Sequence, residues 1–271
     1  KAVLFYKCNK RNAFYISINR SKEELEKNKK PDLGIQTDPA TFLVELMQSF
    51  QFEKQKWKQW FNQLDEWNNH GEEKINHFTS QKTEYINPLK LLEKMNEYIG
   101  EDSIIVGDGG DFVATTSYIV KPRSPLSWLD PGPFGTLGVG AGFALTAKLL
   151  NPDSEVWLFY GDGAAGYSIT EFDTFVRHNL PIIAICGNDA GWTQITRDQV
   201  EYLKDDVGTI LDYTDYHKVV EGYGAQGLLL KSEINIDKVL TQAKLLSKNG
   251  DPVLINALIG KTDFRKGSIS M

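Results

Sequence analysis

The chain has 271 residues, of which 41% are apolar, 11% aromatic and 24% charged, a composition typical of a globular protein with a substantial core. Its 30 Lys and Arg residues against 36 Asp and Glu residues give a net charge of −6. Neither sign forms a long block, so a nucleic-acid partner is not expected. The two cysteines, Cys8 and Cys186, lie far apart in sequence, which argues against a disulfide scaffold and a cysteine metal cluster.

The first 50 residues resemble the end of a domain rather than its beginning. A strand-like run over 13–18 precedes an amphipathic helix that contains Phe42 and Leu46. The chain opens on Lys1, with neither a signal peptide nor an apolar stretch of membrane length. We therefore expect a carboxy-terminal piece of a longer protein, with residues 1–50 as the tail of a central α/β domain.

Residues 51–86 differ in character, because they are rich in Lys, Gln, Asn and Glu around an aromatic stripe at helical spacing. The stripe contains Trp57, Trp60, Phe61, Leu64 and Trp67. We interpret this segment as a helical linker that docks its stripe on a neighbouring domain. A helix lying on a membrane surface is the alternative, which the mixed sign of the polar face disfavours.

From residue 87 onward, short apolar runs alternate with helical patterns. Strands are expected over 103–106, 155–160, 182–186, 227–230 and 253–258, and helices over 87–98, 138–150, 168–178, 215–221 and 236–247. This alternation predicts an α/β fold, with a parallel sheet covered by helices on both faces and forming one domain over 87–271. Ligands bind at the carboxyl ends of the strands in such sheets, so the loops that follow those ends should carry the chemistry.

Three of those loops are rich in glycine and acidic residues: 107–111, 161–166 and 187–191. Glycine lets the main chain approach a ligand closely, and main-chain N–H groups at a following helix start can hold phosphate oxygens. Asp162 and either Asn188 or Asp189 should lie on neighbouring strand ends, because the interval between them fits one helix and one returning strand. Hard oxygen ligands from two such loops suit Mg²⁺ bound to a diphosphate.

Other nucleotide and hydrolase sites are not supported. No glycine-rich dinucleotide fingerprint or Walker lysine stands at a strand-to-helix turn. No serine of a nucleophile elbow is followed by the acidic residue and histidine of a hydrolase triad.

The Gly161-Asp162-Gly163 motif and the later Asn188-Asp189 pair resemble the signature of thiamine diphosphate-dependent enzymes. The resemblance implies that Asp162 and either Asn188 or Asp189 bind Mg²⁺ through side chains, and that Gly191 does so through its carbonyl. It also implies a bulky apolar wedge beneath the cofactor, which falls on Leu137. No residue of this chain receives a catalytic role, because the family's activating glutamate belongs to an amino-terminal domain that these residues lack.

Further residues follow from the same resemblance as contacts of the cofactor. They are Gly109, Gly110 and Asp111 around the diphosphate, Gly135 and Thr136 beside the wedge, Gly161, Gly163 and Ala164 at the next helix start, and Trp192 after the metal loop.

Segments 187–195, 213–218 and 259–265 resemble the 2-hydroxyacyl-CoA lyase branch of this family, which is similar to acetolactate synthase. The resemblance implies a lyase that cleaves 2-hydroxy fatty acyl-CoA to formyl-CoA and a shortened aldehyde. The alternatives are decarboxylation and carboligation of 2-oxo acids, as in acetolactate synthase, and a non-catalytic cofactor-binding module.

The same branch implies properties of the whole protein beyond these residues. It implies a homodimer or homotetramer, and an endoplasmic reticulum location through an anchor upstream of this chain. The chain alone is expected to be inactive, and FAD binding in the central domain is left open.

Overall fold

A computed structural model describes residues 13–27, 29–51 and 53–267, and the chain divides into two compact units, 1–67 and 68–271. This division falls inside one long helix and therefore within the predicted linker. The expected boundaries at residues 50 and 86 stay a prediction. Cys8 lies outside the described residues.

The first unit contains a two-stranded parallel sheet, in which Ile16 pairs with Leu33. Its elements are β1 (Ile16–Asn19), α1 (Lys22–Glu26), β2 (Leu33–Gln36) and α2 (Pro39–Ser49), and α3 (Lys54–Thr79) begins in it. Asp38 caps α2 by accepting a hydrogen bond from the Thr41 N–H at 2.9 Å, with proline at the first helical turn. The strand begins three residues later than the predicted run, although the Tyr15 carbonyl already accepts a hydrogen bond from the Leu33 N–H at 3.2 Å.

The aromatic stripe is confirmed to lie on one continuous helix, α3. Trp60 and Trp67 meet edge to face with ring centroids 5.6 Å apart, and each is about half exposed. No helix among the described residues is both long enough and apolar enough for a membrane span.

The second unit is built on a six-stranded, wholly parallel sheet with the strand order β4-β3-β5-β6-β8-β7. Its strands are β3 (Ile104–Gly107), β4 (Trp128–Leu129), β5 (Val156–Gly161), β6 (Ile182–Asn188), β7 (Gln226–Leu230) and β8 (Val253–Leu258). Its helices are α4 (Pro88–Tyr98), α5 (Asp111–Ile119), α6 (Gly140–Leu150), α7 (Asp162–Ser168), α8 (Glu171–Arg177), α9 (Thr193–Leu203), α10 (Tyr216–Gly222) and α11 (Ile236–Lys248), and short 3₁₀ turns occupy Gly132–Phe134 and Glu233–Asn235. The predicted α/β fold with a parallel sheet is confirmed.

The core of this unit lies on both faces of the sheet, because successive strand side chains point to opposite faces. In β5, Trp157 and Phe159 pack in the layer under α4, α5 and α11, whereas Leu158 and Tyr160 pack under α6 and α8. Strands β5, β6 and β8 are buried throughout or nearly so, as expected of central parallel strands.

One predicted helix is shorter in the structure, and the helix before it was not predicted. The helix expected over 168–178 is α8, which covers Glu171–Arg177, and α7, in the segment expected as a loop, begins directly at Asp162. The end of β5 therefore passes into a helix without an intervening loop, which fixes the direction of the Asp162 side chain.

Candidate functional site

Three neighbouring strands end side by side at one edge of the sheet. In the β5–β6 register Gly161 pairs with Gly187, and in the β3–β5 register Gly107 pairs with Phe159. The segments that follow β3, β5 and β6 therefore start at nearly the same level. They are the three glycine-rich segments that the sequence singles out, so the structure brings the predicted loops together.

Glycines form a surface here that side chains would fill. A Cβ at Gly109 would lie 2.2 Å from Leu137 Cδ2, and a Cβ at Gly161 would lie 3.0 Å from the main-chain oxygen of Gly109. Gly110 has φ +103°, a conformation that favours glycine, and directly precedes α5. The first loop thus packs closely against Leu137 and β5, and Gly109 and Gly110 line the cavity at this edge of the sheet.

Asp162 is the first residue of α7 and is only 3% exposed. Its Oδ1 accepts a hydrogen bond from the Gly163 N–H at 2.8 Å, and its Oδ2 accepts one from the Gly191 N–H at 3.0 Å. Burial raises the pKa of this carboxyl, while these N–H groups oppose the shift. The carboxylate therefore joins the β5 and β6 segments directly, and the Gly163 N–H already has a partner.

Asp189 follows the last residue of β6 and faces the same cavity as Asp162. Its Oδ2 accepts a hydrogen bond from the Thr193 hydroxyl at 2.5 Å. The pKa of Asp189 is raised to about 7, chiefly by burial and also by the negative charge of Asp162, whereas the Thr193 hydrogen bond and the Lys261 ammonium oppose the shift. The Lys261 Nζ lies 3.3 Å from the position that a Cβ at Gly191 would take. Two carboxylates and one cation thus surround Gly191.

Asn188 points away from this cavity. Its side chain is fully buried, and its Nδ2 donates to the main-chain oxygen of Thr214 at 3.1 Å and to Asn256 Oδ1 at 3.3 Å. Its Oδ1 accepts a hydrogen bond from the Ala190 N–H at 3.3 Å, and Ala190 has φ +55°. Asn188 therefore fixes the turn that presents Asp189 and Gly191.

Sequence reasoning assigned no role to Asp108, although it lies within the first loop. Its Oδ1 accepts the Gly138 N–H at 2.9 Å and its Oδ2 accepts the Gly140 N–H at 2.7 Å. Burial raises the pKa of Asp108, and these two hydrogen bonds oppose the shift. Because Gly138 follows Leu137, the Asp108 carboxylate anchors the segment that presses Leu137 onto Gly109. The only signal in the sequence that could have identified Asp108 was an aspartate inside a glycine-rich loop to which no ligand had been assigned.

Asp111 makes a side-chain ion pair in addition to its predicted main-chain role. Its Oδ1 lies 2.8 Å from Arg197 NH2, and both side chains are largely buried. This pair joins α5 to α9. The Trp192 ring packs on Gly163, where a Cβ would lie 2.6 Å from the ring, and so covers the start of α7 from the other side.

A cavity of about 640 Å³ opens between these segments. It is lined by most of the predicted site residues, namely Gly109, Gly110, Asp111, Gly135, Leu137, Gly161, Asp162, Gly163, Ala164, Asp189, Gly191 and Trp192. Thr136 and Asn188 do not line it. Tyr118 and Arg265, which sequence reasoning did not assign, contribute to its wall. Throughout the described ranges, no group of three or more His, Cys, Asp or Glu side chains is arranged to hold a metal ion.

The model of the C-terminal TPP binding domain of thiamine pyrophosphate enzymes matches residues 108–257. The chain belongs to this family. The predicted family resemblance is therefore confirmed, and the match covers the three loops that surround the cavity except for Gly107.

Relatives of this thiamine pyrophosphate-binding domain include two vertebrate proteins named 2-hydroxyacyl-CoA lyase 2. The one from Danio rerio is 48% identical over 263 residues and the one from Homo sapiens is 48% identical over 264 residues. Each alignment covers 94% of this chain and 42% of the relative, so the chain spans less than half the length of these relatives. A probable acetolactate synthase of Mycobacterium bovis is 34% identical over 175 residues, covering 64% of this chain and 31% of that protein.

Proposed function

We propose that this chain holds the diphosphate end of thiamine diphosphate through a Mg²⁺ ion bound by Asp162, Asp189 and the main-chain carbonyl of Gly191. The observation that carries the proposal is the meeting of the buried Asp162 carboxylate and the half-buried Asp189 carboxylate at adjacent strand ends, on the wall of a cavity that Gly109 and Gly110 also line. Magnesium prefers hard oxygen ligands and commonly takes one or two carboxylates together with substrate phosphates. The donor set on this cavity wall fits that preference.

Asp189 is the better candidate than Asn188 for the second side-chain ligand. The Asn188 amide is occupied by Thr214 and Asn256 on the buried side of β6. The Asp189 carboxylate lines the cavity and is close enough to Asp162 for the charge of Asp162 to raise its pKa. We therefore assign Asn188 to shaping the turn and Asp189 to the metal.

The remaining contacts follow from the same geometry. Gly109 and Gly110 receive the diphosphate where they line the cavity, and Leu137, which is anchored through Asp108, is the wedge beneath the cofactor. When bound, the cofactor supplies an electron sink for making and breaking carbon–carbon bonds. This chain binds the diphosphate, orients the ring and excludes water.

For the protein in its native full length, we propose a lyase acting on 2-hydroxyacyl-CoA. The similarity to two relatives named 2-hydroxyacyl-CoA lyase 2, over nearly all of this chain, supports this choice. The weaker similarity to a probable acetolactate synthase keeps 2-oxo acid chemistry as the second candidate. A module that only binds the cofactor is the third, since no residue described here is assigned the activating proton transfer.

Further parts of the proposal concern the whole protein. We place the activating glutamate in another part of the native protein, and we propose that the protein works as a homodimer or homotetramer. An endoplasmic reticulum location is proposed from family resemblance alone, and FAD binding in the central domain is kept as an open part of the proposal.

The metal assignment is tested by calorimetric titration of the native full-length protein with thiamine diphosphate at fixed Mg²⁺. Removing a residue that only orients a metal ligand typically lowers metal affinity by about 10- to 100-fold. Asp162→Ala removes a proposed ligand itself, so it should weaken binding by about 100-fold or more. Asp189→Asn should be tolerated, since an amide oxygen can occupy the same position. Asp189→Ala should cost more than Asn188→Ala, and the exposed Asp102→Ala serves as the matched control. The reverse order for Asp189→Ala and Asn188→Ala would make Asn188 the ligand.

The activity is tested separately, by product analysis with a 2-hydroxyacyl-CoA and with pyruvate. Formyl-CoA and an aldehyde shortened by one carbon support the lyase, whereas carbon dioxide and acetolactate support the second candidate. Cofactor binding without turnover of either substrate would support the third candidate, a module that only binds the cofactor.

A further inference from the structure

Arg265 lies in the wall of the cavity, and no group among the described residues accepts a hydrogen bond from it. It is only 8% exposed, and its buried Nε lacks a hydrogen-bond partner in the described part of the chain. Its guanidinium lies over the Tyr118 ring, whose centroid is 5.2 Å from the guanidinium carbon. No carboxylate within residues 13–27, 29–51 and 53–267 forms an ion pair with it.

The other three arginines of this unit each have ion-pair or hydrogen-bond partners for their guanidinium groups. Arg177 and Arg197 each pair with an aspartate, at 2.7 Å and 2.8 Å. Arg123 also has a buried Nε that lacks a hydrogen bond, but its two terminal nitrogens donate to Asn96, to the Lys121 carbonyl and to the Ile99 carbonyl. Among the arginines that the structure describes in this unit, Arg265 alone has neither a carboxylate nor a carbonyl partner.

A buried charge without a counter-charge is costly, because burial removes hydration that nothing in the protein replaces. The Tyr118 face offsets a part of that cost. Tyr118 is itself held edge to face by Phe264, with centroids 5.6 Å apart, so the guanidinium lies against a supported aromatic surface. The remaining donors are therefore available to an anion that enters the cavity.

The position of Arg265 separates it from the diphosphate end. Asp111 begins α5 beside the glycine loop, and Tyr118 lies seven residues further along the same helix. At 1.5 Å per residue this places Tyr118 about 10 Å along the helix axis from the glycine loop. Both ends line the same cavity.

We propose that Arg265 binds an oxyanion of the substrate in the part of the cavity remote from Asp162 and Asp189. The planar guanidinium can donate two parallel hydrogen bonds to a carboxylate or a phosphate. The oxyanion is either the carboxylate of a 2-oxo acid or a phosphate of an acyl-CoA. The inference rests on the proposed function, because it takes the cavity to be a site for thiamine diphosphate and its substrate.

The test measures binding rather than turnover, by calorimetry on the native full-length protein with thiamine diphosphate and Mg²⁺ present. The probes are coenzyme A, pantetheine as its counterpart without phosphate, and pyruvate. Arg265→Gln should weaken the binding of coenzyme A or of pyruvate by about 10- to 100-fold, as expected for the loss of a charge-assisted pair. The probe that is affected identifies the source of the oxyanion, and pantetheine binding should not change. The neighbouring exposed Lys266→Gln is the matched control.

Several results would overturn the inference. They are equal affinity of wild type and Arg265→Gln for both anionic probes, no binding of either probe to the wild type, and a loss confined to thiamine diphosphate. If Arg265→Gln does not fold, Arg265→Lys carries the test. It keeps the charge without the planar fork and should still lose about 3-fold or more. Failure of the wild type to bind thiamine diphosphate would refute the proposed function instead, and the probe titrations would still report on Arg265 without the cofactor.

Discussion

Asp108 should be essential for the stability of the cavity wall, although we assign it no ligand. Its two oxygens accept the main-chain N–H groups of Gly138 and Gly140 at 2.9 and 2.7 Å, and its side chain is 1% exposed. Asp108→Asn keeps the shape but turns an N–H₂ group toward one of those N–H donors. One buried main-chain donor then loses its acceptor.

The magnitude follows from the number of unsatisfied groups. A buried donor without a partner costs about 1–3 kcal/mol, so Asp108→Asn should lower the free energy of unfolding by about that amount. Asp108→Ala frees both donors and should cost about 2–6 kcal/mol by the same reasoning. For a domain of this size, each kcal/mol corresponds to a fall in Tm of about 2–4 °C.

Urea denaturation and thermal unfolding of the native full-length protein give the comparison, with Asp102→Asn as the exposed control, which should stay within about 0.5 kcal/mol of wild type. The affinity for thiamine diphosphate should fall with Asp108→Asn, because the Leu137 segment loses its anchor. Equal stability of Asp108→Asn and Asp102→Asn would refute the reasoning, since two hydrogen bonds to a buried carboxylate would then contribute nothing measurable.

Gly109→Ala would place a Cβ 2.2 Å from Leu137 Cδ2. This clash should weaken cofactor binding and lower the free energy of unfolding by about 1–3 kcal/mol. Adding Leu137→Ala should relieve the loss of stability. Gly142→Ala, where nothing lies within 4 Å of the new methyl group, is the control and should stabilise α6 by about 0.5–1 kcal/mol in the same denaturation assay. In the metal-free protein, the pKa of Asp189 is raised to about 7 from the ordinary 3.8, so its contribution to stability should be fully present below about pH 3.8 and lost as the pH rises through 7. Urea denaturation in EDTA at about pH 5 and about pH 8 should show this loss in wild type and a smaller one in Asp189→Asn, and equal pH dependence of the two proteins would contradict it.

The sheet could be predicted because its central strands are short apolar runs with helical patterns between them. The range 253–258 was predicted and is observed as β8. The ends of the strands were harder to predict from the sequence, because β5 and β6 continue to Gly161 and Asn188, beyond the apolar residues that predict them. Burial of the main chain between neighbouring strands keeps those glycine and polar positions in the ladder, and that is a property of the sheet rather than of the local sequence.

Helix α5 was not predicted, because its composition opposes a helix. Its middle contains Thr115, Thr116 and Ser117, whose side chains favour turns or strands. In the structure, the two threonine hydroxyls donate to the carbonyls of Asp111 and Phe112, one helical turn earlier. The hydroxyls are thereby satisfied within the helix, and the burial of its apolar residues outweighs the weak propensity.

The choice between Asn188 and Asp189 shows why a site can be recognised before its residues can be assigned. With β6 predicted to end at Cys186, both residues belong to a loop, and either could face a ligand. The strand instead extends through Asn188, and alternation along a strand commits neighbouring side chains to opposite sides. Asn188 then meets Asn256 in the buried layer, and Asp189 comes next at the cavity. Two extra residues of strand therefore separate the residue that shapes the turn from the one that we propose binds the metal.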